Sequence, residues 1–388
     1  AERRVFVLAD SGIVNTINVA NPQRPLVSWR YYDTLGEAGE VALAMLPGQE
    51  TPLAFVACGS RGLQVISGAD PTAPMRVGWF NLPGRAYGVS LASQSVCEAG
   101  SCTPQVLAYV ADHDGSMHIV NVSQPDQPAQ MAAYDSTGMA WNVTLDEQIA
   151  YVAAGPKGMR IVDVQDPGQP WELSFFQPYD TFIRDVAIAG RYAYAADRMH
   201  GRLYSLDMSD PVHPAEIGLF DSPGGAYAVT AVDNLVYLAD GAAGLRIVDV
   251  SKPDSPFEVG SWQSPGVAVE VAVSGTLAYV AGREEGLHIV DVSNPAQPQL
   301  VATYDTPGLV WGVAVDGTSV YLADGPAGVR LLDVSNPARP RAAAAYVTPG
   351  YAWNVAVAGD QVYVAAESGG LVILRHAMLQ LQYLPLVR

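Results

Sequence analysis

Carboxylates and aromatic rings, placed where apolar runs stop, are the side chains of this sequence with chemistry to offer. Asp112 and Asp114 flank His113 in Ala-Asp-His-Asp-Gly-Ser, an Asp-x-Asp-x-Ser spacing that matches the opening of a calcium loop. Ca²⁺ collects about six to eight oxygen ligands. The ordered remainder of such a loop, including its distal Glu, is missing, so the match stops at these two carboxylates. More acids recur in two classes of link: Asp33, Asp135, Asp180, Asp221 and Asp305 in one, Asp10, Asp197, Asp240, Asp324 and Glu367 in the other. Together they would make one face acidic and able to hold a hard cation. Turn chemistry explains the same residues without a metal, because Asp beside a turn bonds nearby backbone N–H groups. No cofactor is firmly implied, and Ca²⁺ is the one candidate.

The stretch Gln-Pro-Tyr-Asp-Thr-Phe-Ile-Arg-Asp, residues 177–185, stands where other copies of the pattern read Asp-Thr-Pro-Gly or a close variant. Asp180, Phe182 and Arg184 would project there. With Trp141, Trp311 and Trp353, and with Tyr87 and Tyr227, all at the starts of apolar strands, they would form an aromatic platform for a sugar or a peptide. Packing between neighbouring units explains the tryptophans equally well, and a salt bridge to Asp180 or Asp185 would suffice for Arg184. No Gly-x-Ser-x-Gly elbow and no Ser, His and acid set stands out. Paired carboxylates are abundant, which leaves a polysaccharide hydrolase or lyase with an acidic pocket open on counts alone.

The elements that must position these residues are repeats. The Asp249 position of Gly-Leu-Arg-Ile-Val-Asp-Val-Ser recurs as Asn18, Ser67, Asn121, Asp163, Asp207, Asp249, Asp291, Asp333 and Arg375. From Asn121 onward the steps are 42, 44, 42, 42, 42 and 42 residues. The first two steps, 49 and 54, carry insertions near 46–53 and 93–106. Within residues 268–309 the pattern predicts four short strands: Ala268 to Ser274, Leu277 to Ala281, Leu287 to Val292 and Gln299 to Tyr304. Turn residues separate them, including a Pro-x-x-Pro link that cannot lie mid-strand because proline lacks the N–H for sheet pairing. Antiparallel four-stranded units of roughly 40 to 45 residues, apolar on both faces, are propeller blades sandwiched between neighbours. A solenoid is less suited, because a closed ring leaves no end face to cap.

Leu-Arg-Ile-Val-Asp-Val-Ser, with Tyr-Val-Ala before it and Asn-Pro after it, resembles the LVIVD repeat family of bacterial and archaeal surface proteins over nearly the whole chain. The resemblance implies a propeller in an extracellular or envelope-associated setting and carries no general catalytic motif. The expected fold is all-β, a single closed β-propeller over 1–388 made of four-stranded antiparallel blades. Innermost strands number eight and the next strands nine. Nine blades are favoured, with a closing strand at 379–387 completing the N-terminal sheet, and eight blades with a spare hairpin are the alternative.

A net charge of -18 and a pI near 4.5 exclude nucleic acid as a partner, since phosphate binding needs clustered Lys and Arg. No apolar run approaches the ~18 residues of a membrane span. Of three cysteines, Cys97 and Cys102 sit in one polar insertion, spaced for a surface disulfide in an oxidising compartment rather than for a zinc site; Cys58 is left over on an apolar run. These readings point to a noncatalytic secreted or cell-surface module that binds a protein or a glycan through its acidic loop face. The alternatives are the hydrolase or lyase already named and a calcium-stabilised surface component.

Overall fold

The structure is a computed structural model that describes residues 101–124, 127–347 and 351–358, together with the strands lying between 4 and 98 and between 361 and 375. Its described residues form strands and turns alone. Among the described residues thirty-four strands make seven four-stranded sheets and two three-stranded ones, each an antiparallel meander in chain order. The chain divides into two compact units, one of residues 1–86, 124–128 and 306–388, the other of 87–123 and 129–305.

The sheets of the second unit that bear on function are 142–176, 183–221, 228–262 and 270–304. In Leu235–Ala239 the consecutive residues Val236, Tyr237, Leu238 and Ala239 are all buried. Successive strand residues face opposite ways, so burial of all four means that both faces of the sheet are covered. One cover is the cluster of Tyr194, Ala196 and Leu203 against Val229, Val236, Leu238 and Val248; the other joins Tyr237, Leu245 and Ile247 to Val271, Val280 and Val290. Burying a Val or Leu side chain stabilises by about 1.5–3 kcal/mol, so sheet-on-sheet packing is what holds each unit together. The third and fourth strands of each sheet share a register shift, for example between Ile247 and Val248 and between Ile289 and Val290. Such bulges increase local twist.

Strands Leu277–Ala281, Gln299–Tyr304 and Ile183–Ala189 lie where the sequence places them. Other innermost strands start two residues later than expected, at Asn142, Ala228, Glu270, Gly312 and Asn354. Some of the residues before them pair with the preceding sheet instead: Ala268 bridges Gly241, and Ala352 bridges Gly325. Strands Ala86–Glu98 and Ser101–Asp112 run through the cysteine insertion. Val96 and Val106 are buried, Tyr109 OH donates to Gln94 Oε1 (2.6 Å), and Gln94 Nε2 donates to the Val164 carbonyl (3.0 Å), which ties this long hairpin to the next sheet. The 379–387 strand lies outside the described residues, as does Cys58.

The recurring Asp at the end of each third strand is turn chemistry. Asp163, Asp207, Asp249, Asp291 and Asp333 each accept a backbone N–H from two residues on, at 2.7 to 2.9 Å. Of the acids expected on one open face, Asp135, Asp180, Asp221 and Asp305 are exposed, whereas Asp112, Asp197, Asp240 and Asp324 are buried. The hydroxyls of Thr181, Ser222 and Thr306, from the links where Asp180, Asp221 and Asp305 lie, donate to Asp197, Asp240 and Asp324. Arg246 pairs with Asp240 at 3.4 Å and Arg330 with Asp324 at 2.5 Å. A buried carboxylate is stable only when hydrogen-bonded and charge-balanced, and these partners draw it inward. Asp10, Asp33 and Glu367 lie outside the described residues.

Candidate functional site

Asp197 organises the departure at residues 177–185. Its Oδ1 accepts the backbone N–H of Phe182 (3.0 Å) and of Met199 (2.9 Å), and its Oδ2 accepts the Thr181 hydroxyl (3.1 Å). One buried carboxylate therefore fixes both the 180–182 link and the 198–201 turn. Asp180 takes a left-handed backbone (φ 55°), which Asp tolerates better than most residues, and is exposed beside His200, whose Nε2 lies 3.6 Å from its Oδ2. The other His200 nitrogen lies 3.2 Å from Asp197.

Between these two segments and the next sheet lies a pocket of about 570 Å³, lined by Phe182, Arg198, Met199, Gly224, Gly225, Tyr227, Gly241, Ala242 and Val267. Arg198 follows the buried Asp, a position that Gly241 and Gly325 hold in two other sheets. Its guanidinium lies over the Tyr227 ring, 4.8 Å from the centroid, with Nη2 3.4 Å from the Tyr227 hydroxyl. Gly224 is imposed by packing, since a Cβ there would meet the Asp240 carbonyl at 1.9 Å. The wall of the pocket beside Tyr227 is consequently bare backbone.

Behind Tyr227 sits a charged cluster on the innermost strands. Arg184 Nη1 donates to the Tyr227 carbonyl (2.9 Å), and its guanidinium lies 5.1 Å from the Tyr227 ring and 6.0 Å from that of Trp141. Asp185 accepts from Asn142 Nδ2, Val186 N and Val229 N, each at 2.9 Å. Burial raises the pKa of Asp185, and these three donors oppose the rise. Burial pulls the Arg184 guanidinium down, while Glu270 and Asp185 hold it up and Arg198 adds to the lowering. Glu270 is pushed up to about 7, by burial first and by Asp185 second, so it carries a partial proton at neutral pH. No thiol or hydroxyl nucleophile is placed in this cluster among the described residues.

Of the three residues that the sequence singles out at this departure, Phe182 lines the pocket, Asp180 is exposed beside His200, and Arg184 lies behind Tyr227. Arg184 is committed to Tyr227, Asp185 and Glu270, and Arg198 reaches the pocket in its stead. Trp141 packs 5.8 Å from Phe182 and takes His113 edge-on at 4.8 Å. Trp311 and Trp353 come together with Tyr351 in the first unit, where Trp311 Nε1 donates to Tyr351 OH (2.7 Å) and the Trp rings lie 4.7 Å apart. These two indoles pack against each other and Tyr351, and Phe182 and Tyr227 are the aromatic residues that line the pocket. Asp112 is buried, with Oδ1 accepting the Asp114 N–H (2.9 Å) and Oδ2 3.2 Å from His118 Nε2, while Asp114 is exposed. Glu270 was legible only as the acid occupying a strand-start position where Asn142, Ala228, Gly312 and Asn354 stand elsewhere.

The LVIVD repeat model matches residues 107–136, 137–177, 183–222, 223–264, 265–306, 307–348 and 349–374, well over half of the sequence. The chain belongs to the LVIVD repeat family. No curated protein matches this LVIVD chain in sequence. Among solved structures it is similar to the computationally designed Ika8 protein (TM-score 0.70, 7% identity, 88% of this chain and 96% of that one). It is also similar to Sqt1 from Saccharomyces cerevisiae (0.71, 8%, 89% and 97%). A third is BamB from Moraxella catarrhalis (0.59, 12%, 86% and 92%). At such identities the likeness concerns the fold alone, a β-propeller.

Proposed function

We propose that this LVIVD-repeat chain is a noncatalytic extracellular or cell-surface recognition module that binds a protein or a glycan at the Phe182–Arg198–Tyr227 pocket. The observation that carries the reading is that the pocket of about 570 Å³ opens where the regular Asp-Thr-Pro-Gly link is replaced. Residues common to all repeats serve the scaffold, whereas one-copy departures that line a cavity with aromatic and cationic groups serve a ligand. A thermal-shift panel of neutral oligosaccharides, acidic oligosaccharides and peptides tests it. A ligand at 100 times its dissociation constant adds about 2.7 kcal/mol, and that shift should vanish in Phe182→Ala. A shift that survives Phe182→Ala, or no shift from any probe, would overturn the reading.

One observation favours a second reading. Glu270, held near 7 beside Asp185, has the partial protonation that a general acid needs, which suits an extracellular polysaccharide hydrolase or lyase. Under it, Glu270→Gln abolishes turnover of a cleavable polymer and leaves binding intact. EDTA and Ca²⁺ arms of the same panel test the calcium-stabilised alternative.

The oxidising compartment and the blade number belong to the same proposal. Cys102 is disulfide-bonded, and Cys97 lies on the strand before it, Ala86–Glu98, which supports the Cys97–Cys102 pair. Peptide mass mapping without reductant should recover the two cysteines in one linked fragment. Within the first unit the innermost strand Asn354–Ala358 packs beside Val41–Ala44, which supports eight blades over nine.

A further inference from the structure

We propose that the pocket takes a carboxylated sugar, a uronate residue of an acidic glycan, with Arg198 on its carboxylate; this rests on the recognition reading above and names its ligand class. Three observations lead there. The first is charge. In a chain with 21 basic and 39 acidic side chains, Arg160, Arg191, Arg202, Arg246, Arg283 and Arg330 each pair with a carboxylate. Arg198 has no carboxylate partner among the described residues. It lies instead on the Tyr227 ring, where its charge acts against that of Arg184, 5.1 Å from the same ring. Asp185 and Glu270 balance Arg184, and among the described residues no carboxylate forms an ion pair with Arg198. An anion beside Arg198 relieves the repulsion and uses the planar fork of donors that guanidinium offers to a carboxylate. One cation without a carboxylate partner at the pocket suits a monoanion better than a phosphate dianion.

The second observation is backbone. Gly225 is half-buried on the pocket wall, and neither its N–H nor its C=O has a protein partner among the described residues. Half-buried backbone groups need hydrogen bonds, and a donor beside an acceptor matches the hydroxyls of a pyranose, each of which both donates and accepts. The third is surface. Phe182 and Tyr227 are the two aromatic residues lining the pocket, with Val267 and Met199 beside them, and the C–H face of a sugar packs on rings of this kind. A peptide partner would offer Gly225 its own backbone N–H and C=O, so the choice of a glycan over an acidic peptide rests on the two rings that line the pocket, and hexaglutamate in the test decides between them.

The test is isothermal titration of the full chain at pH 7 and low salt with trigalacturonate, with its methyl ester, and with hexaglutamate. The ester keeps the sugar and removes the charge. The expected result is that the free acid binds about 10- to 100-fold more tightly than the ester, as a charge-assisted pair implies. Arg198→Ala should erase that preference without moving the melting temperature, because the side chain is exposed, and Arg198→Lys should keep only part of it. Equal binding of acid and ester overturns the proposal with no variant needed. An acid preference that survives Arg198→Ala overturns it as well. Binding of hexaglutamate or of the neutral ester alone, lost in Phe182→Ala, overturns the uronate assignment and leaves the recognition module standing. Silence from these probes and from the whole thermal panel overturns both.

Discussion

His288 should make this protein lose stability as the pH falls below neutral. Its ring is fully buried, with Nδ1 3.1 Å from the Thr303 hydroxyl and Trp262 at 4.9 Å. In other sheets this position is Arg246 or Arg330, each paired with a buried Asp; here the Asp position is Gly282, and a Cβ there would meet His288 Nε2 at 2.6 Å. With no acid to hold a proton in place, burial lowers the pKa from 6.5 to about 4. A base with a depressed folded pKa binds protons more readily when unfolded, so its penalty is absent above pH 6.5 and grows as the pH falls toward 4. At about 1.4 kcal/mol per pH unit, unfolding should become easier by roughly 2–3 kcal/mol between pH 7 and pH 4.5 from this group alone. His288→Leu removes the titration, at a cost of about 1 kcal/mol at pH 7 for the Thr303 hydrogen bond. Urea unfolding followed by Trp fluorescence at pH 7, 5.5 and 4.5 reads the difference. The stability of the two proteins should converge, or cross, as the pH falls. Parallel pH dependences would refute the reasoning, as would an imidazole that titrates near 6.5 by NMR.

Glu270 carries the opposite sign: its pKa is raised to about 7, so its carboxylate weakens the fold as the pH rises from 4.5 through 7. Glu270→Gln should therefore raise the melting temperature at pH 8 and leave it unchanged at pH 4 in a pair of thermal scans. Asp324→Ala strands Arg330 and the Thr306 hydroxyl, both of which bond that buried carboxylate. It should cost about 3–5 kcal/mol by urea titration, against roughly 0–1 kcal/mol for the exposed Asp221→Ala. Gly201→Ala is expected to destabilise by about 2 kcal/mol or more, because Gly201 has φ +64° and a Cβ would meet the Gly224 carbonyl at 2.0 Å; a melting temperature within a degree of the parent would contradict that.

Strand order and turn chemistry were legible because both are local. Alternation and turn residues locate Leu277–Ala281 and Gln299–Tyr304 to the residue, and the Asp249 class needs only its own turn. Phe182 was legible as a departure from the repeat. What escaped depends on partners distant in sequence. Asp240 and Asp324 are buried rather than solvated because Ser222 and Thr306, each 18 residues away, reach them. Arg184 is held within the protein by a carbonyl 43 residues on. Arg198 was not singled out in the sequence, because what distinguishes it is Tyr227, 29 residues away, whose ring lies beneath its guanidinium. The innermost strands start late because Ala268 pairs with Gly241 of the preceding sheet, a contact that no period of hydrophobicity encodes.

The measurement that tests the central claim most directly is hydrogen–deuterium exchange of the full chain with and without the thermal-panel ligand that gives the largest shift. Protection should concentrate in residues 180–184, 198–201 and 224–227. Protection elsewhere, at 351–353 beside Trp311 for example, or in none of these segments, would contradict a recognition site at the Phe182–Arg198–Tyr227 pocket.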